Sequence, residues 1–196
     1  MASKLAQIET EVKTCRRCPL YRDATQAVFG EGSSRSRVVM LGEQPGDQED
    51  RAGRPFVGPA GRVLDQALDQ LAVDRRSVYI TNAVKHFKFE ERGKRRLHKR
   101  PNRYEIERCR WWLDQELGAI HPSLIVALGR TAAEALMGRA VVLSKERGRV
   151  QTDIGDYPIL VTTHPSAILR MPDKAARKSA YTAFVNDLRL AFKEAG

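Results

Sequence analysis

The stretch Arg37 to Gly42, Arg-Val-Val-Met-Leu-Gly, is apolar throughout after its first residue and breaks on a glycine. A short run of this kind predicts a strand buried on both faces, with a loop, Glu43 to Gly53, delivered at its carboxyl end. Val78 to Thr81 predicts a second strand, Ser123 to Leu128 a third ending at Gly129, and Tyr157 to Thr162 a fourth running into His164-Pro165-Ser166. Between them the period changes. From about Gly58 to Leu71 the apolar residues Val63, Leu64, Ala67, Leu68 and Leu71 recur at helical spacing. Arg103 to Ile120 carries Ile106, Trp111, Leu113, Leu117 and Ile120 and is closed by Pro122, which predicts an amphipathic helix. Thr131 to Met137 predicts a short helix capped by Thr131, and the last helix spans about Lys174 to Lys193.

Strands alternating with helices predict an α/β fold: three α/β/α layers around a mainly parallel four-stranded sheet, with ligand sites at the strands' carboxyl ends. The loops at Glu43, Asn82 and His164 all fall there. No repeat, low-complexity tract or linker divides the chain, so residues 1–196 read as a single domain. That length, with 42% hydrophobic residues, suffices to bury a core.

Charge sharpens the picture. The 34 Lys and Arg against 24 Asp and Glu give a formal charge of +10, which favours polyanions and makes nucleic acid the leading class of partner. Eleven of those cations, with four Glu, lie between Lys85 and Arg110. The amino end has no apolar core of a signal peptide, and no stretch reaches the ~18 apolar residues of a membrane span, so a soluble cytoplasmic protein is expected. The only cysteines are Cys15, Cys18 and Cys109. An odd number with one Cys-x-x-Cys pair suits zinc or an iron-sulfur centre better than a disulfide framework.

On residue types alone, Gly42 to Asp50 is either a solvated acidic turn or a site, and Phe56, in Gly53-Arg-Pro-Phe-Val-Gly-Pro-Ala-Gly61, is either core or a stacking platform. The basic tract Gly93-Lys-Arg-Arg-Leu-His-Lys99 reads as a flexible loop that grips phosphates. His121, before Pro122, reads as structural.

Taken together, Gly42-Glu-Gln-Pro-Gly-Asp47, Arg54-Pro-Phe-Val-Gly-Pro-Ala-Gly61, Thr81-Asn-Ala-Val-Lys85 and His164-Pro-Ser166 resemble the uracil-DNA glycosylase superfamily, near its iron-sulfur glycosylases. The tract ending Arg95-Arg96-Leu97-His98, together with Gln44 after the motif Glu43, resembles the UdgX branch, which usually has Ile where Leu97 stands.

The resemblance implies a uracil-DNA glycosylase-like fold and an enzyme acting on uracil-containing DNA, single strands preferred, that stays covalently bound to the sugar C1′ through His98. A flipped uracil would stack on Phe56 and be read by Asn82, whose amide offers both a donor and an acceptor. His164 would donate to uracil O2, and Glu43 would supply an anion near the sugar, with Gly42, Gln44, Asp47 and Ser166 shaping the pocket. The cations around His98, Arg95 and Arg96 included, would hold DNA and leave a nucleophilic imidazole nitrogen free. A 4Fe-4S cluster would be held by Cys15, Cys18, His86 and Cys109. His86 stands where ordinary iron-sulfur glycosylases carry a cysteine, and zinc on the same four residues is the chemical alternative. A conventional glycosylase that turns over many times and a noncatalytic single-stranded DNA binder are the rival functions. A monomer needing no protein partner is expected.

Overall fold

The computed structural model describes residues 3–196. From the amino end the chain runs through α1 (Lys4–Val12), β1 (Val38–Gly42), α2 (Asp47–Ala52), α3 (Pro59–Gln70) and β2 (Tyr79–Asn82). A hairpin follows, β3 (Phe89–Arg92) and β4 (Arg95–His98), then α4 (Arg103–Ile120), β5 (Leu124–Leu128) and α5 (Arg130–Met137). The last third holds α6 (Leu143–Glu146), β6 (Val150–Gln151), β7 (Ile159–Thr162), α7 (Pro165–Leu169) and α8 (Lys174–Ala195).

The central sheet has the order β2-β1-β5-β7-β6, and all its neighbours are parallel except β6. The four parallel strands match the prediction. The fifth, β6, is two residues long, too short to show a period in sequence. Alternation divides the buried residues between two faces. Val38, Met40, Val126 and Leu160 pack against Leu64 and Leu68 of α3 and Phe184 and Leu188 of α8. Val39, Leu41, Ile125 and Val161 pack against Leu113 and Leu117 of α4 and Ala132 and Leu136 of α5. The result is the three-layer α/β/α arrangement.

Helix α4 starts because Asn102 Oδ1 accepts from the Glu105 N–H at 2.9 Å while Glu105 Oε2 accepts from the Asn102 N–H at 2.7 Å. This reciprocal cap satisfies two donors that a helix start leaves open. It stops at His121, in a left-handed conformation at φ 52° before Pro122, so His121 is structural as expected. Its inner face differs from the expected one in a detail: Trp112 is buried, whereas Trp111 is exposed under the Arg17 guanidinium.

Three other expectations change. The loop from Glu43 contains α2. Its carboxylates are not a solvated turn: Glu49 and Asp50 are buried, and Glu49 accepts from the Gly46 and Gly58 N–H groups at 3.1 and 2.7 Å, tying the loop's two ends together. Thr131 is a buried second residue of α5, whose cap is Gly129. The basic tract is an antiparallel hairpin, turning at Gly93-Lys94 with Gly93 at φ 60° and pairing Phe89 with His98 and Glu90 with Leu97.

Candidate active site

Strand order reverses between β1 and β5, since the chain first adds β2 on one side of β1 and later β5 and β7 on the other. Open α/β sheets bind ligands at the strands' carboxyl ends at such a point. Here it holds a cavity of about 640 Å³ lined by Glu43, Gln44, His98, Gly129, His164, Ser166 and the cations Arg100, Arg130 and Arg170. An adjoining groove of about 690 Å³ shares Arg100 and is lined further by Arg103, Arg110 and Arg139, but it holds none of the motif residues.

Next to the cavity, Gly42 ends β1 in register with Asn82, which ends β2. A Cβ on Gly42 would lie 2.3 Å from Asn82 Oδ1 and 2.7 Å from Phe56 Cζ, so only glycine lets these two side chains close on the strand end. Asn82 is 2% exposed, and its Oδ1 has no hydrogen-bond partner among the described residues. An unpaired buried acceptor costs about 1–3 kcal/mol, so its presence points to a donor that arrives from outside. Phe56 sits at φ 53°, an uncommon and strained conformation for an aromatic residue, and its carbonyl is held by Arg75 Nη2 at 3.3 Å. Its ring centroid lies 5.8 Å from that of His164. The core and platform readings of Phe56 therefore merge, because it belongs to the sheet core and touches the site.

His164 follows β7. Its Nδ1 accepts from the Ser166 N–H at 3.1 Å and lies 2.8 Å from Ser166 Oγ. A backbone N–H can only donate, so Nδ1 carries no proton and the neutral ring carries it on Nε2. Burial, with Arg170 and His98 nearby, pushes the His164 pKa down from 6.5 to about 4. Between those values the unfolded chain takes up a proton that the folded chain refuses. Stability is therefore expected to fall as pH drops from 6.5 towards 4, by on the order of 3 kcal/mol from this group. Denaturant titrations of wild type and His164→Gln across this window check it: the variant should lose less stability on acidification, and equal slopes would refute the assignment.

The hairpin brings His98 to the same cavity. His98 Nε2 lies 3.3 Å from Glu43 Oε1, with the His98 side chain half exposed. The cations near it in sequence are paired with carboxylates: Lys99 with Glu90, Arg100, which lines the cavity with His98, with Glu134, and Arg96 with Asp47 and Asp50. Arg96, two residues before His98, shares its face of β4, and both approach the Phe87 ring, but the Arg96 charge is spent on the two aspartates. Arg96 binds Asp47 at 2.5 Å and Asp50 at 2.7 Å and lies over the rings of Phe87 and Phe89. It latches the hairpin to α2 instead of facing DNA, and Asp47 is engaged by Arg96 and Arg51 instead of shaping the pocket. Arg95 remains exposed. Gln44 Nε2 donates to the carbonyls of Lys88 and Lys99, each at 3.1 Å, and its Oε1 accepts from the Lys88 N–H at 3.1 Å. Lys88 and Lys99 flank the hairpin, so the Gln44 amide pins its base.

Cys15, Cys18 and Cys109 share one buried cluster with Trp112, between α1 and α4. Cys109 Sγ accepts from the Lys85 N–H at 3.2 Å, and Cys15 Sγ from Trp112 Nε1 at 3.0 Å. His86 is buried with Nδ1 unpartnered among the described residues, and burial lowers its pKa, which favours the neutral form that ligates metals. Burial pushes the Cys109 thiol up to about 12, so a thiolate there needs a metal's positive charge. Among the described residues no three of these side-chain types converge closely enough to hold a single ion.

Residues 29–189 match the family model described as the uracil DNA glycosylase superfamily. The chain belongs to this superfamily. It is 41% identical over 175 residues to a type-4 uracil-DNA glycosylase of Pyrobaculum aerophilum, covering 86% of each chain. It is 37% identical over 177 residues to a type-4 uracil-DNA glycosylase of Thermotoga maritima, covering 89% of this chain and 88% of that one. A type-5 uracil-DNA glycosylase of Pyrobaculum aerophilum is 29% identical over 182 residues.

The superfamily motifs thus meet at one place: Gly42, Glu43, Phe56, Asn82, His164 and Ser166 all border the switch point. Reading the sequence overlooked Arg130 and Arg170. Each follows a strand-end motif closely, Arg130 after Gly129 and Arg170 after His164-Pro-Ser166, and that adjacency was the available signal.

Proposed function

We propose that this superfamily member excises uracil from DNA, single strands preferred, and that His98 then captures the sugar. The capture rests on one observation, His98 Nε2 at 3.3 Å from the Glu43 carboxylate at the mouth of the motif-lined cavity. A uracil extruded from the stack would meet the Phe56 ring, place its N3–H against the open Asn82 Oδ1, and receive the His164 Nε2–H at O2. As the C1′–N1 bond breaks, its electron pair leaves with the uracil, where the His164 Nε2–H stabilises the charge growing on O2. An imidazole nitrogen lone pair of His98 forms the bond to C1′, and Glu43 accepts the proton that the alkylated ring sheds. Arg95, Arg100, Arg130 and Arg170 are the candidates for phosphate contacts, and one chain supplies every group needed.

The second reading has water complete the reaction. It is favoured by the relatives, which are named as type-4 uracil-DNA glycosylases with no mention of capture. Denaturing electrophoresis with a uracil-containing single-stranded oligonucleotide, a thymine control and His98→Ala separates the two. Capture predicts a uracil-dependent band that survives heat and denaturant and is lost in His98→Ala. Alkali-labile free DNA from the wild type establishes the hydrolytic reading, and neither product leaves a DNA-binding module.

The same reading places a 4Fe-4S cluster on Cys15, Cys18, His86 and Cys109. The unpartnered His86 Nδ1 and the clustered thiols support it. When bound, the cluster would fasten the amino-terminal segment and α4 to the turn after β2, with no electron transfer in the reaction. Purified protein is expected to contain iron and acid-labile sulfide in equal amounts, both lost in Cys109→Ser. Zinc without sulfide would overturn the assignment.

A further inference from the structure

Behind Asn82 lies a charged pair that the reaction does not touch. Lys85 and Glu116 both have 0% side-chain exposure and are bonded to each other. The three ammonium protons of Lys85 are all committed: to Glu116 Oε2, to Thr81 Oγ1 at 2.7 Å and to the Asn82 carbonyl at 2.8 Å. Glu116 in turn accepts from the Gly30 N–H at 3.1 Å and the Tyr79 hydroxyl at 3.0 Å, and Thr81 Oγ1 lies 3.1 and 3.2 Å from its two oxygens. Every polar atom of the pair is thereby satisfied.

Such a pair adds little stability over well-packed apolar residues of the same volume, because desolvating two charges costs about what their attraction returns. What it does supply is geometry. The Asn82 side chain makes no hydrogen bond of its own among the described residues, so its amide is placed by its backbone and by van der Waals contact alone. Beyond the ladder that pairs Asn82 with Gly42, that backbone is held by three further bonds. The Ala83 N–H donates to the Gly42 carbonyl at 2.9 Å, the Val84 N–H to the Glu43 carbonyl at 3.0 Å, and Lys85 Nζ to the Asn82 carbonyl itself. Only the last is made by a side chain, and it is anchored in α4 through Glu116.

We propose that Lys85, held by Glu116, is a positioning and specificity-determining residue that fixes the Asn82 amide against the base. The inference rests on the reading of Asn82 as the group that reads uracil. Uracil presents N3–H and O4 where cytosine presents a bare N3 and an amino group, so an amide held in one place and one orientation accepts the first and rejects the second. Released from Lys85, the Asn82 backbone can shift and the amide can adapt.

Lys85→Met alone leaves Glu116 buried without its partner and is expected to fold poorly. The test is therefore the neutral pair Lys85→Met/Glu116→Gln, compared with Thr81→Val, which removes bonds of the same network but leaves Lys85 on the Asn82 carbonyl. Release of free base from uracil- and cytosine-containing oligonucleotides is measured under single-turnover conditions, alongside inhibition by free uracil, thermal midpoint and iron content. The neutral pair is expected to fold, to keep its iron and to keep the protein concentration that gives half-maximal rate. It should lose up to about 100-fold in maximal rate on uracil, in line with the effect of small misplacements, with weaker inhibition by uracil and a narrowed preference over cytosine. Thr81→Val should lower the thermal midpoint and leave rate and preference unchanged. The proposal falls if the neutral pair keeps wild-type rate and preference, if Thr81→Val loses both to the same degree, or if the neutral pair does not fold, since the role is then structural. A wild-type protein that releases no uracil overturns the reading of the site itself, a different result.

Discussion

Asn82→Ala is expected to lower uracil release by about 10²- to 10³-fold and, at the same time, to raise the stability of the free protein. Removing one aligned hydrogen-bonding group from a site that stabilises developing charge costs about this factor. The Asn82 Oδ1 is buried and open among the described residues, and alanine offers neither the donor nor the acceptor of the amide. Affinity for DNA should change little, because the candidate phosphate contacts, Arg95, Arg100, Arg130 and Arg170, lie on other elements. The gain in stability, about 1 kcal/mol, comes from deleting an oxygen that is desolvated without a partner, partly offset by the small void left beside Phe56. Single-turnover base release and urea denaturation measure the two effects on the same preparation. Wild-type release, or a variant markedly less stable than wild type, would show that the open oxygen is not a receptor for the base.

Arg96→Met should cost about 3–5 kcal/mol and uncouple capture from excision. The side chains of Arg96 and Asp50 are 13% and 0% exposed, and breaking a buried pair from one side strands the other charge. Asp50 would keep the Thr25 N–H and hydroxyl but lose the only cation bonded to it among the described residues. Asp47 is affected less. Burial alone would raise its pKa, and the Arg51 and Arg96 bonds outweigh that, so Arg51 continues to hold it. With the latch gone the hairpin is held mainly by Gln44 at its base, and His98, near the end of β4, loses its fixed approach to Glu43. Uracil should still be released, but as free abasic DNA instead of cross-linked protein. Restoring charge balance with Arg96→Met/Asp50→Asn is expected to return most of the stability and little of the capture. Urea denaturation read beside the ratio of cross-linked to free product tests both statements. A single variant with wild-type stability, or a double variant that captures as well as wild type, would remove Arg96 from this role.

Both outcomes turn on contacts the sequence could not display. Helix α4 was legible to the residue, because Asn102 with Glu105 and His121 with Pro122 act within one turn of the chain. The parallel strands were legible because each is a buried apolar run ending in a polar or glycine-bearing loop. The hairpin was not. Its arms are charged, so no alternation of apolar residues marks them, and the partner that gives Arg96 its direction is 46 residues away. Gln44 likewise meets Lys88 and Lys99 across 44 and 55 residues, and Lys85 meets Glu116 across 31.

The sequence by itself determined the layer order, the superfamily motifs and the residue types gathered at the strand ends, because local propensity and short spacings carry that information. Only the tertiary structure decided how the charges are spent. It turned Arg96 to a carboxylate instead of to solvent, left the Asn82 oxygen open, buried Lys85 against Glu116 and set His98 beside Glu43. Burial makes an unpaired charge or amide costly, so the direction of each polar side chain is fixed by whichever distant partner the fold brings within reach.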